Sequence, residues 1–402
     1  MEALAVHGGR PSVTFNPTWP IFGAEEEQAL SAVLRSGKWG STSGDVVATF
    51  EDEFADKFGV RHATAVANGT LALVAALGAA GVGSGDEVIV PPYTFIATAS
   101  AALLVGAIPV FADVRPDNHM IDADSVRSRI TDRTRAIIPV HLAGGVADME
   151  SIMAVADQYG LIVIEDCAQA TGASRHGVPV GGLGHLGAFS FQSSKNLTAG
   201  EGGAVLTNDD DLAEKLYGMV NVGRRRGGGW YEHATIGYNL RLTEFQAAVL
   251  RCQLQRFDEL QGRLDRGARL LTSQLAGVST LVVDAEDESW TSHGRHGYLI
   301  RVPACTGRPN LRDAAVAALR AEGVTSASGG YVPLHRNDAL LERIRQLTGT
   351  LDRNDVDQAC PVADEVCSDT IWLPHQWLSG SQDEIGQVAN ALARVTSQLE
   401  TL

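Results

Sequence analysis

The sequence predicts an α/β protein with a mostly parallel seven-stranded sheet in a large domain and a small C-terminal α/β domain. Three observations carry this. Between residues 63 and 206, short apolar runs alternate with segments of helical periodicity. Those runs are apolar throughout rather than at every second residue, as expected for strands covered on both faces. Beyond a long helical stretch at 243–260 the regular alternation ends, and helices mix with short isolated strands. A chain of 402 residues is long enough for two domains. The boundary falls in or just after that helix, giving 1–255 as the large domain with its N-terminal arm and 256–402 as the small one.

Residues 1–23 are irregular and rich in Pro and Gly. Glu25–Arg35 has helical spacing, with Ala29, Leu30, Val33 and Leu34 on one face, and Gly37 to Gly40 ends it. Val46–Phe58 is a second amphipathic helix, and its Phe50, Phe54 and Phe58 form a stripe suited to a core. Strands follow at Ala63–Ala67, Glu87–Val90, Pro109–Phe111, Arg135–Val140 and Leu161–Glu165. The helices between them are Thr70–Ala80, Thr94–Val105, Asp124–Ile130 and Met149–Tyr159. The last two strands, near Ala188–Gln192 and Ala204–Leu206, flank a polar turn at Ser193–Asn196 and glycines 200, 202 and 203. Leu212–Met219 and Thr243–Leu260 are helices. The C-terminal part holds helices near 263–275, 310–322, 337–347 and 381–400, with strands at Tyr298–Val302 and Thr370–Leu373.

The formal charge of −16 disfavours nucleic acid and anionic membranes as partners. Five scattered cysteines without a CxxC pair suit a reduced, cytoplasmic protein, with Cys360 and Cys367 either paired or, as the favoured reading, two core thiols. The first residues lack the basic and apolar regions of a signal peptide. The apolar segments near 70–82 and 97–108 are too short to span a bilayer.

In such sheets ligands sit at the carboxyl ends of strands. Four strand ends bear chemistry. At Asn68-Gly69-Thr70, a glycine admits close backbone approach and a helix N-terminus offers free amide donors to an anion. At Pro91–Phe95, Tyr93 and Phe95 either cap the core or stack on a planar ligand. At Glu165–Gln169, a carboxylate such as Asp166 can hold a proton on a pyridine nitrogen, and Gln169 is placed to reach a ring oxygen. At the fourth, Lys195 sits in a glycine-walled corner between two apolar strands, five residues after the Ser190 hydroxyl. Most lysines in such hairpins reach solvent. A desolvated one is instead a carbonyl nucleophile. Asn239 and Arg241 stand where periodicity expects apolar residues. Taken in this order, the four sites point to pyridoxal phosphate (PLP).

Other motifs are decoys. Gly182-Leu-Gly-His-Leu-Gly187 matches GxGxxG but precedes a strand instead of opening a helix, so it is no dinucleotide site. Arg224–Arg226 beside three glycines is either an anion-binding loop or a solvated one. His141 and His335 read as structural, and no metal-ligand spacing occurs.

The runs NGT (68–70), PPYTF (91–95), EDCAQATGA (165–173), FSFQSSKNLTAGEGG (189–203) and GYNLRLTEFQAA (237–248) resemble the DegT/DnrJ/StrS aminotransferases. These are PLP enzymes of fold type I that act on keto-sugars and cyclitols. The resemblance runs from Trp39-Gly40 to Tyr331–His335. It implies that Lys195 bonds the cofactor and shuttles the proton, Asp166 pairs with the pyridine nitrogen, and Gln169 contacts the ring hydroxyl. Phe95 would stack on the ring, and Gly69, Thr70 and Ser190 would hold the phosphate. Asn239 would reach the phosphate in a neighbouring subunit, making a homodimer with shared active sites. Trp39, Tyr93, Tyr331 and His335 would lie toward the substrate. The wording Pro139–Gly144 and Ala147–Met149, with Phe-Gln before Ser-Ser-Lys, is similar to scyllo-inosose-type aminotransferases and to 3-amino-5-hydroxybenzoate synthase, with nucleotide-linked keto-sugar aminotransferases as a third branch the resemblance leaves open. The expected reaction passes an amino group from L-glutamate or L-glutamine, through PLP and its pyridoxamine form, to a cyclic ketone. The alternatives are an aromatising enzyme of the second type and a non-catalytic PLP-fold partner or regulator.

Overall fold

The computed structural model describes residues 3–283, 286–350 and 359–402. Its centre is a seven-stranded sheet built from β1 (His62–Val66), β2 (Glu87–Val90), β3 (Ile108–Phe111), β4 (Thr134–Ile137), β5 (Ile162–Asp166), β8 (Leu186–Ser190) and β9 (Gly203–Thr207). The order across the sheet is β1-β9-β8-β5-β4-β2-β3. Only β9 runs against the others. The two short strands β6 (Ser174–Arg175) and β7 (Val178–Pro179) pair outside it with β11 (Trp290–Ser292). All seven expected strands are present. The fourth is shorter than expected because its ladder stops before Pro139, which has no N–H to donate; Val140 makes only an isolated bridge to Asp166.

The helices α1 (Ala24–Ser36), α2 (Val46–Phe58), α3 (Gly69–Ala79), α4 (Ala97–Leu104), α5 (Ala123–Ser128), α6 (Met149–Tyr159) and α7 (Asp210–Val220) accompany the sheet. The phenylalanine stripe of α2 packs edge-on against strand aromatics, with Phe54 and Phe189 centroids 5.2 Å apart and Phe50 and Phe191 5.6 Å apart. α3 is buried from Ala72 to Leu77, so it lacks a polar face and reads as a continuous apolar run. This pins its N-terminus against the end of β8.

A second core is built on the antiparallel strands β10 (Val282–Val283), β12 (Gly297–Arg301) and β13 (Thr370–Pro374). The remaining helices are α8 (Glu244–Leu275), α9 (Pro309–Ala321), α10 (Asp338–Thr348), α11 (Pro361–Asp369) and α12 (Gln382–Thr396). Helix α8 corrects the expectation of separate helices at 243–260 and 263–275. It is continuous for 32 residues from a Thr243/Gln246 capping box. Gly262 in a helix interior costs only about 1 kcal/mol, too little to break a rod anchored on both sides. Its Leu250 and Phe257 belong to the first core, and its Leu260, Leu264 and Leu271 to the second. Leu4 and Val13, from the other end of the chain, also pack into the second core. All five cysteines are free.

Candidate active site

The carboxyl ends of β1, β2, β5 and β8 surround a cavity of about 750 Å³. Gly69, Thr70, Phe95, Asp166, Gln169, Ser190, Lys195 and Tyr331 all line it. Residues that are 126 positions apart in sequence, such as Gly69 and Lys195, meet because the strands between them run side by side.

Asp166 is 5% exposed at the cavity floor. The Thr98 hydroxyl donates to its Oδ2 at 2.8 Å, and the Ala168 N–H donates to Oδ1 at 3.1 Å. Burial raises its pKa; those two donors, Lys195 and His141 oppose the rise. Such a carboxylate is poised to gain from a cationic partner. Lys195 is half-buried on the turn between β8 and β9. Burial lowers its pKa from 10.5 to about 8, against a smaller opposing pull from Asp166. Gln169 is fixed at both ends. Its Oε1 accepts the Ala143 N–H at 2.8 Å, and its Nε2 donates to the Tyr331 hydroxyl at 2.6 Å. The Ala143 contact sets which end of the amide is oxygen.

The opening of α3 makes a cradle. Asn68 caps the helix by accepting the Leu71 N–H at 2.9 Å. Gly69 and Thr70, next to the cap, stand in the first turn, where amides have no carbonyl within the helix. A Cβ on Gly69 would lie 2.6 Å from the Ser190 Cβ, so only glycine lets the helix start approach that serine. Phe95 is 57% exposed, a large aromatic presented to the cavity instead of the core. An amide cradle beside a serine hydroxyl, a buried carboxylate, an amine of lowered pKa and an unburied aromatic fit the phosphate, ring nitrogen, aldehyde and ring face of PLP.

Four sequence-proposed residues lie elsewhere. Tyr93 is 1% exposed and accepts the Trp372 Nε1–H at 2.8 Å, so of the two readings it caps the core while Phe95 meets the cavity. His335 is fully buried, with Nε2 3.3 Å from Asp364 and its ring near Phe111. Trp39 is exposed, with its indole on the Leu34 carbonyl. Asn239 is exposed and pairs with Asn221 in an isolated bridge.

The decoys have structural explanations. Glu165 is fully buried and accepts the Gly181, Leu183 and Gly184 N–H groups at 2.7–2.9 Å, with His141 Nε2 also at 2.9 Å. The glycine-rich 182–187 run therefore begins by wrapping one of the chain's own carboxylates. His141, Glu165 and Cys167 bring ligand atoms within 4.8 Å of one another, but these hydrogen bonds already occupy the Glu165 carboxylate. In the 224–226 loop, Arg224 lies 3.9 Å over the Trp230 ring and Arg226 4.6 Å over Tyr217.

Sequence reasoning missed Thr98, Glu201 and His296. Thr98 had a signal, since it and Thr94 are polar one turn apart in an apolar stretch, and their hydroxyls lie 3.0 Å apart. His296 reaches the cavity from the second core, and nothing near it in sequence marks it.

Similarity to known proteins agrees with this site. Residues 20–393 match the model of the DegT/DnrJ/EryC1/StrS aminotransferase family. The chain is 39% identical to the L-glutamine:2-deoxy-scyllo-inosose aminotransferase of Streptomyces lividus, over 98% of this chain and 97% of that one. It is 36% identical to the 3-amino-5-hydroxybenzoate synthase of Amycolatopsis mediterranei (strain S699), over 94% and 96%. A crystal structure of 3-amino-5-hydroxybenzoic acid synthase superimposes with a TM-score of 0.90 at 35% identity, covering 96% of this chain and all of that one. With a matched model spanning both cores and a cavity that fits its cofactor, this chain belongs to the DegT/DnrJ/EryC1/StrS aminotransferase family of PLP-dependent enzymes.

Proposed function

We propose that the protein moves an amino group from L-glutamine or L-glutamate to a cyclic ketone, a cyclitol or keto-sugar, in amino-sugar or aminocyclitol biosynthesis. The observation that carries this is the gathering of Lys195, Asp166, Gln169, Phe95, Ser190 and the α3 N-terminus around one cavity. Among the described lining residues Lys195 is the only lysine or arginine, and Glu201 adds negative charge. Glutamine is the donor named for the Streptomyces lividus relative, which supports the same donor here.

Bound PLP would supply an electron sink for the carbanion formed at the donor's α-carbon. The chain's residues would do the rest. Asp166 would keep a proton on the ring nitrogen. Gln169, clamped by Ala143 and Tyr331, would meet the ring oxygen, and Phe95 would cover the ring face. Gly69, Thr70 and Ser190 would hold the phosphate. Lys195, whose pKa burial lowers to about 8 in the cofactor-free chain, would take up and return the proton.

The alternative of an aromatising enzyme is favoured by the TM-score of 0.90 to 3-amino-5-hydroxybenzoic acid synthase. The mass of the product formed from a cyclic ketone separates the two. The oligomer belongs to the same proposal: a cytoplasmic homodimer in which Asn239 serves the partner's cavity, supported by its exposure beside Trp230, Tyr231 and Tyr238. So does the division at 255/256, supported by the hand-off between cores after Phe257, with Leu4 and Val13 joining the second. The first test is the visible spectrum of PLP-loaded protein before and after L-glutamine or L-glutamate. Bleaching to the pyridoxamine form is expected. A band unmoved by either donor rules out both.

A further inference from the structure

Trp19 lies outside the cavity yet touches the turn that carries Lys195. Its Nε1–H donates to the Ser193 carbonyl at 2.9 Å, two residues before the lysine. Its ring meets His375 edge to face, with centroids 4.4 Å apart and planes at 88°. His375 is 1% exposed, and neither ring nitrogen has a hydrogen-bond partner among the described residues. The His375 N–H donates to the His296 carbonyl at 3.2 Å, and His296 lines the cavity with Lys195. On the other side of the lysine, Asn196 Nδ2 donates to the Gly294 carbonyl at 2.6 Å. The lysine turn is thus gripped on one side by Trp19 and on the other by Gly294.

The arm bearing Trp19 is itself anchored. Glu322 accepts the Ala5 N–H at 2.9 Å and the Ser12 N–H at 3.0 Å. Phe15 packs on Trp377 with centroids 5.4 Å apart. Leu4 and Val13 are buried in the second core. A segment tied down at these points brings its indole to the lysine turn as a fixed strut.

We propose that Trp19 is a positioning residue for Lys195: it fixes the Ser193 carbonyl and shields His375, behind the lysine's cavity, from water. This rests on the reading of Lys195 as the cofactor-bonding lysine. The charged and titratable groups around that amine are Asp166, Glu201, His296 and Tyr331 in the cavity lining, with His375 behind them. Burial, and behind it Lys195, hold His296 well below its ordinary range. His375 is pushed down to about 4, chiefly by burial. The two imidazoles are therefore neutral at neutral pH and add no negative charge to balance the ammonium form of the lysine. Admitting water there would stabilise that ammonium and move the lysine's titration upward from about 8.

The test uses cofactor-free full-length protein, to which PLP is added. The readout is the rate of borohydride-trappable attachment as a function of pH. Trp19→Phe keeps a ring against His375 and removes the N–H donor. Trp19→Ala removes both. With circular dichroism unchanged, Trp19→Phe is expected to slow attachment threefold to tenfold, the range set by one lost hydrogen bond. Trp19→Ala is expected to raise the pH midpoint by about one unit as well. A folded Trp19→Phe protein with wild-type rate and midpoint overturns the proposal, whatever Trp19→Ala does. Failure of the wild type to attach PLP at all would instead overturn the assignment of Lys195.

Discussion

Lys195 and His375 show what burial does to single side chains here. Both are held toward their neutral forms, for opposite purposes. For Lys195 the neutral form is the reactive one. Lys195→Ala is expected to abolish borohydride-trappable PLP and to lower turnover by at least about 10²–10⁴, the range for losing a positioned acid–base group. Mass spectrometry of the reduced protein checks the first and steady-state rates the second. For His375, a pKa of about 4 in the fold against about 6.5 unfolded means that the unfolded chain takes up a proton which the fold refuses. Stability from this group is complete above pH 6.5 and is lost as pH falls toward 4, by at most about 3 kcal/mol. Urea unfolding of the cofactor-free protein at pH 7 and pH 5 should show a smaller pH effect in His375→Phe than in wild type. Asp166 and Glu165 are adjacent, and both are buried, contrary to the usual solvated carboxylate at a strand end. Three amide donors and His141 hold Glu165, whereas Asp166 has only Thr98 and Ala168. The less satisfied carboxylate is the one that faces the cavity.

At the scale of elements, α2 was the most legible because its pattern repeats over whole turns, and α3 because its apolar run is too long for a strand. The Phe50–Phe54–Phe58 stripe packs as its spacing predicts, and Phe54 touches Phe50, Phe58, Phe189 and Phe191. Phe54→Ala is therefore expected to cost about 3–5 kcal/mol, the range for truncating a buried aromatic. Denaturant unfolding of the cofactor-free protein measures it. β8, which ends at Ser190 and leads into the lysine turn, packs against two of these rings, so PLP affinity is expected to fall as well. Helix α8 was less legible. Gln261-Gly262 looks like a break when read locally, and only the two cores on either side keep the helix straight. Strand β4 was overextended for the opposite reason. Its apolar run continues past the point where Pro139 ends the hydrogen-bond ladder.

At the scale of the molecule, exposed apolar groups gather near the residues missing from the cavity. Trp39, Trp230, Tyr231, Ile236 and Tyr238 are all at least half exposed. Asn239 lies in the same stretch as the last four. A shared active site predicts complementation: mixing Lys195→Ala with Asn239→Ala subunits should restore activity, because each heterodimer has one intact composite site. An active fraction near that of one site per dimer is expected in purified heterodimers. Complete inactivity there argues that Asn239 serves its own subunit or none. No helix among the described residues is long and apolar enough to cross a membrane.

The sequence by itself determined the strand–helix alternation, the mostly parallel sheet and the strand ends that carry Lys195, Asp166, Gln169 and Gly69-Thr70. These follow from burial repeating along a strand or helix and from backbone demands at tight turns, both of which are local. Only the tertiary structure decided that Tyr93 turns into the core while Phe95, two residues on, meets the cavity. It alone placed Thr98 on Asp166, Tyr331 on Gln169, and His296 and Trp19 around the lysine. Those contacts join residues 68 to 174 positions apart, and no local pattern encodes which distant strand end a side chain will meet. That is set by the order in which the strands pack.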